Sequence, residues 1–293
     1  MPEEFTVGFI GQGFIGKNYA DDFVSRGFSV VRYALESEYA GNKEAIAECD
    51  PVFIAVPTPT TPTGFDDSIL RAVLPLVGVG KTAVIKSTTL PGTIDALQKS
   101  FPDRVILHSP EFLAEKTAAY DAAHPTRNII GIPAEHPEYR AQAEVVLSML
   151  PKAPFKSIIE ARESELIKYA SNTFLLMKVL FSNLIYDATA ALGGSYEHVR
   201  AGLAADPRIG PSHLGVLDVS GHLGAKLGRG AGGHCFIKDL AAFAEVYKQL
   251  MPSDPEGLAL LNALEKKNIS LLTNSGKDID LLEGVYGSGL THK

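Results

Sequence analysis

A short apolar stretch, Phe5-Thr6-Val7-Gly8-Phe9-Ile10, runs straight into Gly11-Gln12-Gly13-Phe14-Ile15-Gly16 and then into a helical pattern that lasts to about Arg26. Strand, glycine turn and helix in that order constrain the fold more than anything else in the chain. In a βαβ unit the first glycine allows the tight turn, the second a close approach of backbone to a pyrophosphate, and the third close packing of helix on strand. The diphosphate then sits at the positive end of the helix. In this setting the motif predicts dinucleotide binding rather than a bare turn. A second strand, 28–33, should end in an acid for the adenosine ribose, but the residues there are Arg32-Tyr33-Ala34-Leu35-Glu36. Either Glu36 reaches the ribose and the cofactor is NAD, or Arg32 meets a 2′-phosphate and the cofactor is NADP, or Arg32 is only a solvated charge.

Further strands are read at 51–56, 82–86, 105–108, 128–132 and 155–159, with helical patterns between them. That alternation predicts an α/β domain over 1–158, a Rossmann-like, doubly wound parallel sheet. From Glu163 the composition changes. A proline-free helical run to about Leu192 is apolar on nearly every side, around Leu166, Ile167, Phe174, Leu175, Leu176, Val179, Leu180 and Phe181. Such a helix is expected to be buried, between domains or between subunits of a homodimer. It opens an all-helical domain expected over 159–275, in which helices are read at 196–204, 239–250 and 256–273. Glycines at 276, 284, 287 and 289 then predict a flexible tail over 276–293.

A length of 293 residues, 45% of them hydrophobic, suits two cores. A formal charge of -7 gives no pull toward nucleic acid or anionic lipid. No apolar run is read as approaching the roughly 18 residues of a membrane span, and Met1-Pro2-Glu3-Glu4-Phe5 carries acids where a signal peptide needs bases. A soluble cytoplasmic protein is expected. Cys49 and Cys235 lie too far apart in sequence for a metal-ligand cluster, and thiols suit a reducing cytosol.

Chemistry concentrates in a few places. Gly228-Arg229-Gly230-Ala231-Gly232-Gly233-His234-Cys235-Phe236-Ile237-Lys238-Asp239 sets a thiol beside a cation and an anion after a glycine run. Glycine N–H groups there can hold an oxyanion and Lys238 can favour a thiolate, although a buried inert cysteine fits the same letters. Pro57-Thr58-Pro59-Thr60-Thr61-Pro62 is a rigid loop at a strand end, with no regular structure expected just beyond it. The hydroxyls of Ser87-Thr88-Thr89-Leu90-Pro91-Gly92-Thr93 hold a water or a cofactor amide, or are plain helix caps. Glu111 and Glu115 are candidate general bases or acids decorating a helix start. Glu165, Lys168 and Asn172 lie close to one line on the long helix, where Lys168 is a proton donor or oxyanion partner, or an ion-pair partner of Glu165.

Six motifs in order, Gly11-Gln12-Gly13-Phe14-Ile15-Gly16, Val56-Pro57-Thr58-Pro59, Ser87-Thr88-Thr89-Leu90-Pro91-Gly92-Thr93, Pro110-Glu111-Phe112-Leu113-Ala114-Glu115, Lys168-Tyr169-Ala170-Ser171-Asn172 and Gly232-Gly233-His234-Cys235-Phe236-Ile237-Lys238-Asp239, resemble the UDP-glucose/GDP-mannose dehydrogenase family. The resemblance implies oxidation of a sugar C6 alcohol to a carboxylate in two NAD-dependent steps through a cysteine adduct. It implies Cys235 as nucleophile, Lys168 and Asn172 as oxyanion partners, Asp239 and Thr88 as positioners of water, and Glu111 as base for thioester hydrolysis. Cofactor contacts fall on Gly11, Gly13, Phe14, Ile15, Gly16, Val56, Pro57, Thr58, Ser87, Thr88, Glu115 and Lys238. Substrate contacts fall on Phe112, Leu113, Gly232, Gly233 and, across a dimer interface, Arg208. The resemblance implies a sugar or sugar nucleotide as the small-molecule partner.

Members of that family usually carry a third α/β domain that closes over the nucleotide, and this sequence is expected to lack it. Two other readings stay open on the same fold: a catalytically weak dinucleotide-binding dimer, and a one-step hydroxyacid-type dehydrogenase that uses the helical lysine and asparagine but does not need the thiol.

Overall fold

The computed structural model describes residues 6–222 and 224–289, so Phe5, expected to open the first strand, and the end of the expected tail lie outside the described residues. In chain order the elements are β1 (Thr6–Ile10), α1 (Phe14–Ser25), β2 (Ser29–Tyr33), β3 (Val52–Ile54), β4 (Thr60–Thr61), β5 (Gly64–Phe65), α2 (Ser68–Val73), β6 (Thr82–Ile85), α3 (Thr93–Ser100), β7 (Val105–His108), α4 (Ala118–Ala123), β8 (Arg127–Ile132), α5 (Pro137–Met149), β9 (Phe155–Glu160), α6 (Ala161–Ala191), α7 (Tyr196–Ala205), α8 (Gly233–Leu250), α9 (Pro255–Ser275) and α10 (Ile279–Tyr286). They form two compact units, Met1–Pro59 with Asp66–Lys168, and Thr60–Phe65 with Tyr169–Lys293. The division falls inside α6 rather than at 159.

In the first unit seven strands form one sheet in the order β2-β1-β3-β6-β7-β8-β9. The first five are parallel, as the alternation predicts. The last two correct the expectation of a wholly parallel sheet: β8 runs antiparallel to β7 at His108 and Gly131, and β9 is parallel to β8. A parallel return needs a crossover, usually a full helix laid across one face. Between β7 and β8 the chain offers an irregular segment and the six residues of α4. The thirteen-residue α5 does make such a crossover, from β8 to β9.

Strand alternation sends side chains to two faces, and both are buried, as near-continuous apolar strands require. Val7, Phe9, Phe53, Val84 and Leu107 join Phe23 of α1 and Val146 of α5 in one core. Ile10, Ile54, Ile85 and Ile106 join Leu70 of α2 and Leu97 of α3 in the other. Phe9, Phe23 and Phe53 stand with ring centroids 5.1–5.4 Å apart, each pair contributing about 0.5–1.5 kcal/mol beyond the area it buries.

In the second unit Leu176, Val179 and Leu180 of α6 pack with Leu240 and Ala244 of α8 and Leu261 and Leu271 of α9. A smaller core joins Ile237 of α8, Leu272 of α9 and Leu282 of α10. Three expectations are corrected here. The helix read as apolar and buried all round leaves one apolar face open, with Leu166, Phe174, Met177, Phe181 and Leu184 exposed. That helix is also long and apolar enough to cross a membrane by length and composition. Its fully buried Glu165 and the nearly buried Lys168 and Asn172, each bonded to protein partners, make it instead a helix with a polar inner face. Finally, the segment expected to be a flexible tail contains α10, whose Leu282 is fully buried, and, just before that helix, the buried residues Lys277 and Asp278. Glycine spacing looks alike in a tail and in a turn that packs closely.

Thr60–Thr61 and Gly64–Phe65 pair in a two-residue ladder directly after Pro59, where no regular structure was expected. The prolines at 59 and 62 flank β4, outside the paired residues, so the ladder needs no N–H from either.

Candidate active site

The cofactor turn is built at the sheet's C-terminal edge, where β1 and β3 lie side by side and the connections leave in opposite directions. That point opens a crevice in doubly wound sheets. Gly11 has φ +89° and a Cβ there would overlap the Ala55 carbonyl; a Cβ on Gly16 would overlap the Gly11 carbonyl. These two glycines serve the close packing of turn, strand and helix. Gly13 has open space around it and is the N-cap of α1, with no side-chain cap and no acid in the first turn. The first-turn N–H groups of Phe14, Ile15 and Gly16 are thereby left for a ligand, and the residues fit an anionic diphosphate. Phe14 and Pro57 are exposed beside this edge.

The Val56–Thr58 loop is fastened to the end of β6. Ser87 Oγ accepts from Val56 N at 2.9 Å and donates to Val56 O at 2.7 Å, and Thr58 Oγ1 donates to Thr88 O at 2.6 Å. The Ser87 hydroxyl is thus a tie between strand ends rather than a helix cap; the cap of α3 is Gly92. Arg32 is paired with Asp21 at 2.7 Å, so it is not a lone solvated charge. Glu36 and Glu115 are exposed.

Behind the edge lies a buried polar network. Lys168 Nζ stands 2.6 Å from Glu111 Oε1 and donates to Glu111 O at 2.8 Å, while Glu111 Oε2 accepts from Leu113 N. The expected partner of Lys168 on its own helix, Glu165, accepts instead from Thr89 Oγ1, Gly92 N and Ile94 N at the start of α3. Burial pushes its carboxyl up to about 7 against those donors. Phe112 stacks under the Arg127 guanidinium, 3.6 Å from ring centroid to carbon, and with Leu113 lines a cavity bounded also by Tyr19, Asp121 and His124.

Two members of this network were not read from the sequence, although each is a polar residue closing an apolar strand. His108 Nδ1 bonds Ser164 Oγ at 2.6 Å, and burial drives its imidazole down to about 3, so the ring is neutral. Lys86 is buried 4.0 Å from the centre of the Tyr19 ring and donates to Ser109 O and Oγ at 3.1 Å. Burial lowers its ammonium to about 7, opposed by Glu111 and reinforced by Lys168. In the unfolded chain it titrates near 10.5. Between those values the unfolded state binds the extra proton, so native stability rises with pH from about 7 toward 10.5. The melting temperature of wild type relative to Lys86→Met is expected to climb across that window in a buffer series; parallel curves would place the Lys86 proton elsewhere.

In the second unit the thiol lies on a helix, not in a loop. α8 starts at Gly233, six residues before the expected 239, which makes Cys235 its third residue. Cys235 is exposed, and a helix's first turn favours a thiolate through its N–H groups and dipole. Lys238 Nζ is 2.5 Å from Asp239 Oδ1, and Asn172 Nδ2 donates to the buried Asp239 Oδ2 at 2.6 Å. The Lys238 charge is therefore shared with Asp239. Gly233 N donates to Asp278 Oδ2 at 2.7 Å. Arg208 is exposed and held by Asp206, Nη2 to Oδ2 2.6 Å. Cys49, in contrast, is fully buried; it donates to Ala45 O, and burial pushes its thiol up to about 11. Among the described residues no group of three or more His, Cys, Asp and Glu side chains has metal-ligand geometry.

A doubly wound sheet with a bare glycine turn, followed by a helical unit built on one long helix, is the architecture of NAD-binding oxidoreductases. Two domain descriptions of a single family match the chain, the NAD binding domain over residues 32–146 and the central domain over 162–269, and the chain belongs to the UDP-glucose/GDP-mannose dehydrogenase family. It is 33% identical over 216 residues to UDP-glucose 6-dehydrogenase of Rhizobium meliloti, covering 69% of this chain and 47% of that one. It is 29% identical over 289 residues to the enzyme of the same name from Rickettsia conorii, covering 93% of this chain and 62% of that one. The chain thus spans about half to two thirds of the length of these curated relatives. A UDP-glucose dehydrogenase structure from Pyrobaculum islandicum superposes with a TM-score of 0.76 at 26% identity, over 93% of this chain and 71% of that one.

Proposed function

We propose that this protein oxidises the primary C6 alcohol of a sugar nucleotide to a carboxylate in two steps, through a covalent adduct on Cys235. The observation that carries this is an exposed thiol in the first turn of α8, in a chain that carries the family's NAD-binding domain. NAD bound at the α1 turn would accept one hydride in each oxidation. The Cys235 thiolate adds to the aldehyde carbon to give a thiohemiacetal, whose oxidation leaves a thioester. Water, deprotonated by Glu111, displaces the thiolate, so that alcohol and water yield carboxylate while two hydrides leave. Lys168 and Asn172 stabilise the oxyanions, and Thr88 and Asp239 orient water. Phe112, Leu113 and Gly232 remain the assigned substrate contacts. Two reduced cofactors per sugar nucleotide consumed is the expected stoichiometry. One would favour the hydroxyacid-type reaction, and none, with NAD still bound, the binding relative.

NAD rather than NADP is supported by the Arg32–Asp21 pair. Arg32→Ala is expected to change NAD and NADP affinities alike in calorimetric titrations. A selective loss of NADP binding would reverse that preference.

A homodimer is supported by the open apolar face of α6, since a two-fold axis lets identical faces cover each other and would bring Arg208 to the partner. Cytoplasmic location is proposed on the same ground as the thiol chemistry, which needs a reducing compartment.

A further inference from the structure

We propose that Asp278 is a positioning residue for the Cys235 thiol: its carboxylate caps the start of α8 in place of the side chain that Gly232 lacks, and its charge sets how readily Cys235 ionises. The inference rests on the nucleophilic role proposed above for Cys235. Helix starts are ordinarily capped by Ser, Thr, Asp or Asn at the N-cap position itself. Here the N-cap is Gly232, with no side-chain cap of its own, and the first N–H of the helix, on Gly233, is given to Asp278 Oδ2 at 2.7 Å. The same oxygen accepts from Ser220 Oγ at 2.5 Å. A Cβ on Gly232 would overlap it, so glycine at 232 is what admits the carboxylate.

The Asp278 side chain is fully buried, and its backbone is left-handed at φ 52°, an unfavourable conformation for a residue with a Cβ. Surrounding contacts have to hold it there. Oδ1 lies 3.5 Å from His222 Nε2, and the His222 ring meets the ring of His234, next to Cys235, edge to face at 5.3 Å between centroids. The preceding residue, Lys277, is buried, paired with Asp218, and donates to Gly230 O at 3.1 Å. Lys277 and Asp278 therefore grip the two ends of the turn that delivers the thiol.

A carboxylate on the first N–H of a helix offsets part of the positive field that favours a thiolate at the third position. The Ser220 hydroxyl weakens that offset, as does His222 when protonated. Among the described residues, Asp218, Lys277, His234, Lys238 and Asp239 also bring charged or titratable groups to this turn. Asp278 thus holds the turn in place and moderates the reactivity of its thiol at the same time. Asp278→Asn keeps an acceptor of the same shape and removes the charge. Ser220→Ala keeps the charge and removes a donor that screens it.

The test is iodoacetamide labelling across a pH series, with mass spectrometry locating the label on Cys235 or on the buried Cys49. Against wild type, the midpoint of Cys235 labelling is expected to move to lower pH in Asp278→Asn, by about half a unit or more, and to higher pH in Ser220→Ala. Midpoints that superimpose, or that move the same way in both variants as a merely loosened turn would make them do, overturn the proposal. If Cys49 in Asp278→Asn labels as fast as Cys235, that variant has unfolded, and the direction in Ser220→Ala decides. Failure of the nucleophilic role itself would show separately, as undiminished turnover in Cys235→Ser.

Discussion

Cys235→Ser is expected to lower conversion of a sugar nucleotide to its acid by at least about a thousandfold while leaving NAD binding nearly intact. Serine can occupy the third position of α8 with no change of backbone. Its hydroxyl, however, ionises far less readily than a thiol, and an ester formed on it hydrolyses poorly where a thioester is needed. Coupled turnover assays with cofactor binding measured in parallel check both halves. Cys49→Ser is the control. Its hydroxyl can donate to the Ala45 carbonyl that the thiol now uses, so a loss of about 1 kcal/mol of stability and no loss of turnover is expected. Retained two-step turnover in Cys235→Ser would make the thiol structural and leave Lys168 as acid or base of a one-step reaction.

Substituting Asp for both Phe174 and Phe181 is expected to convert a dimer into a monomer. The two rings are 64% and 60% exposed in the single chain and lie two helical turns apart on one face of α6. Covering a phenylalanine side chain is worth about 1.5–3 kcal/mol, and a two-fold interface counts each ring twice. Even half of that, lost together with the cost of burying four carboxylates, weakens association by more than a thousandfold. Light scattering on wild type and variant at matched concentrations reads the result. A wild-type monomer throughout the working range would end both the dimer and the shared role of Arg208.

The strands and the cofactor turn were legible because apolar runs of strand length, separated by helical periodicity, leave one sensible sheet. The direction of β8 was not legible, because it depends on how the 109–126 segment spends its residues and not on any feature of β8. The start of α8 was hidden for a similar reason: Gly232 and Gly233 are poor helix formers, and the cap arrives from Asp278, 45 residues on. For Lys168 the sequence offered Glu165, three residues away, whereas the buried partner is Glu111, 57 residues away. Local spacing nominates neighbours, but in a low-dielectric interior the carboxylate that most needs a cation takes it. Lys86 closes an apolar strand, where no sequence motif distinguishes a buried lysine from an exposed one, so its place in the network shows only in the fold.

The ladder of Thr60–Thr61 with Gly64–Phe65 belongs to the helical unit although it is encoded inside the sheet unit, and β4 packs near α8 and α10. During synthesis these six residues leave the ribosome long before the helices they serve, and they wait unpartnered while the sheet unit is completed around their ends. A gene fragment beginning at Tyr169 would encode the second unit's share of α6 and all its later helices and still omit one of its parts. Supplying a 60–65 peptide, or fusing those residues to the fragment, is then a condition for making that half of the molecule by itself.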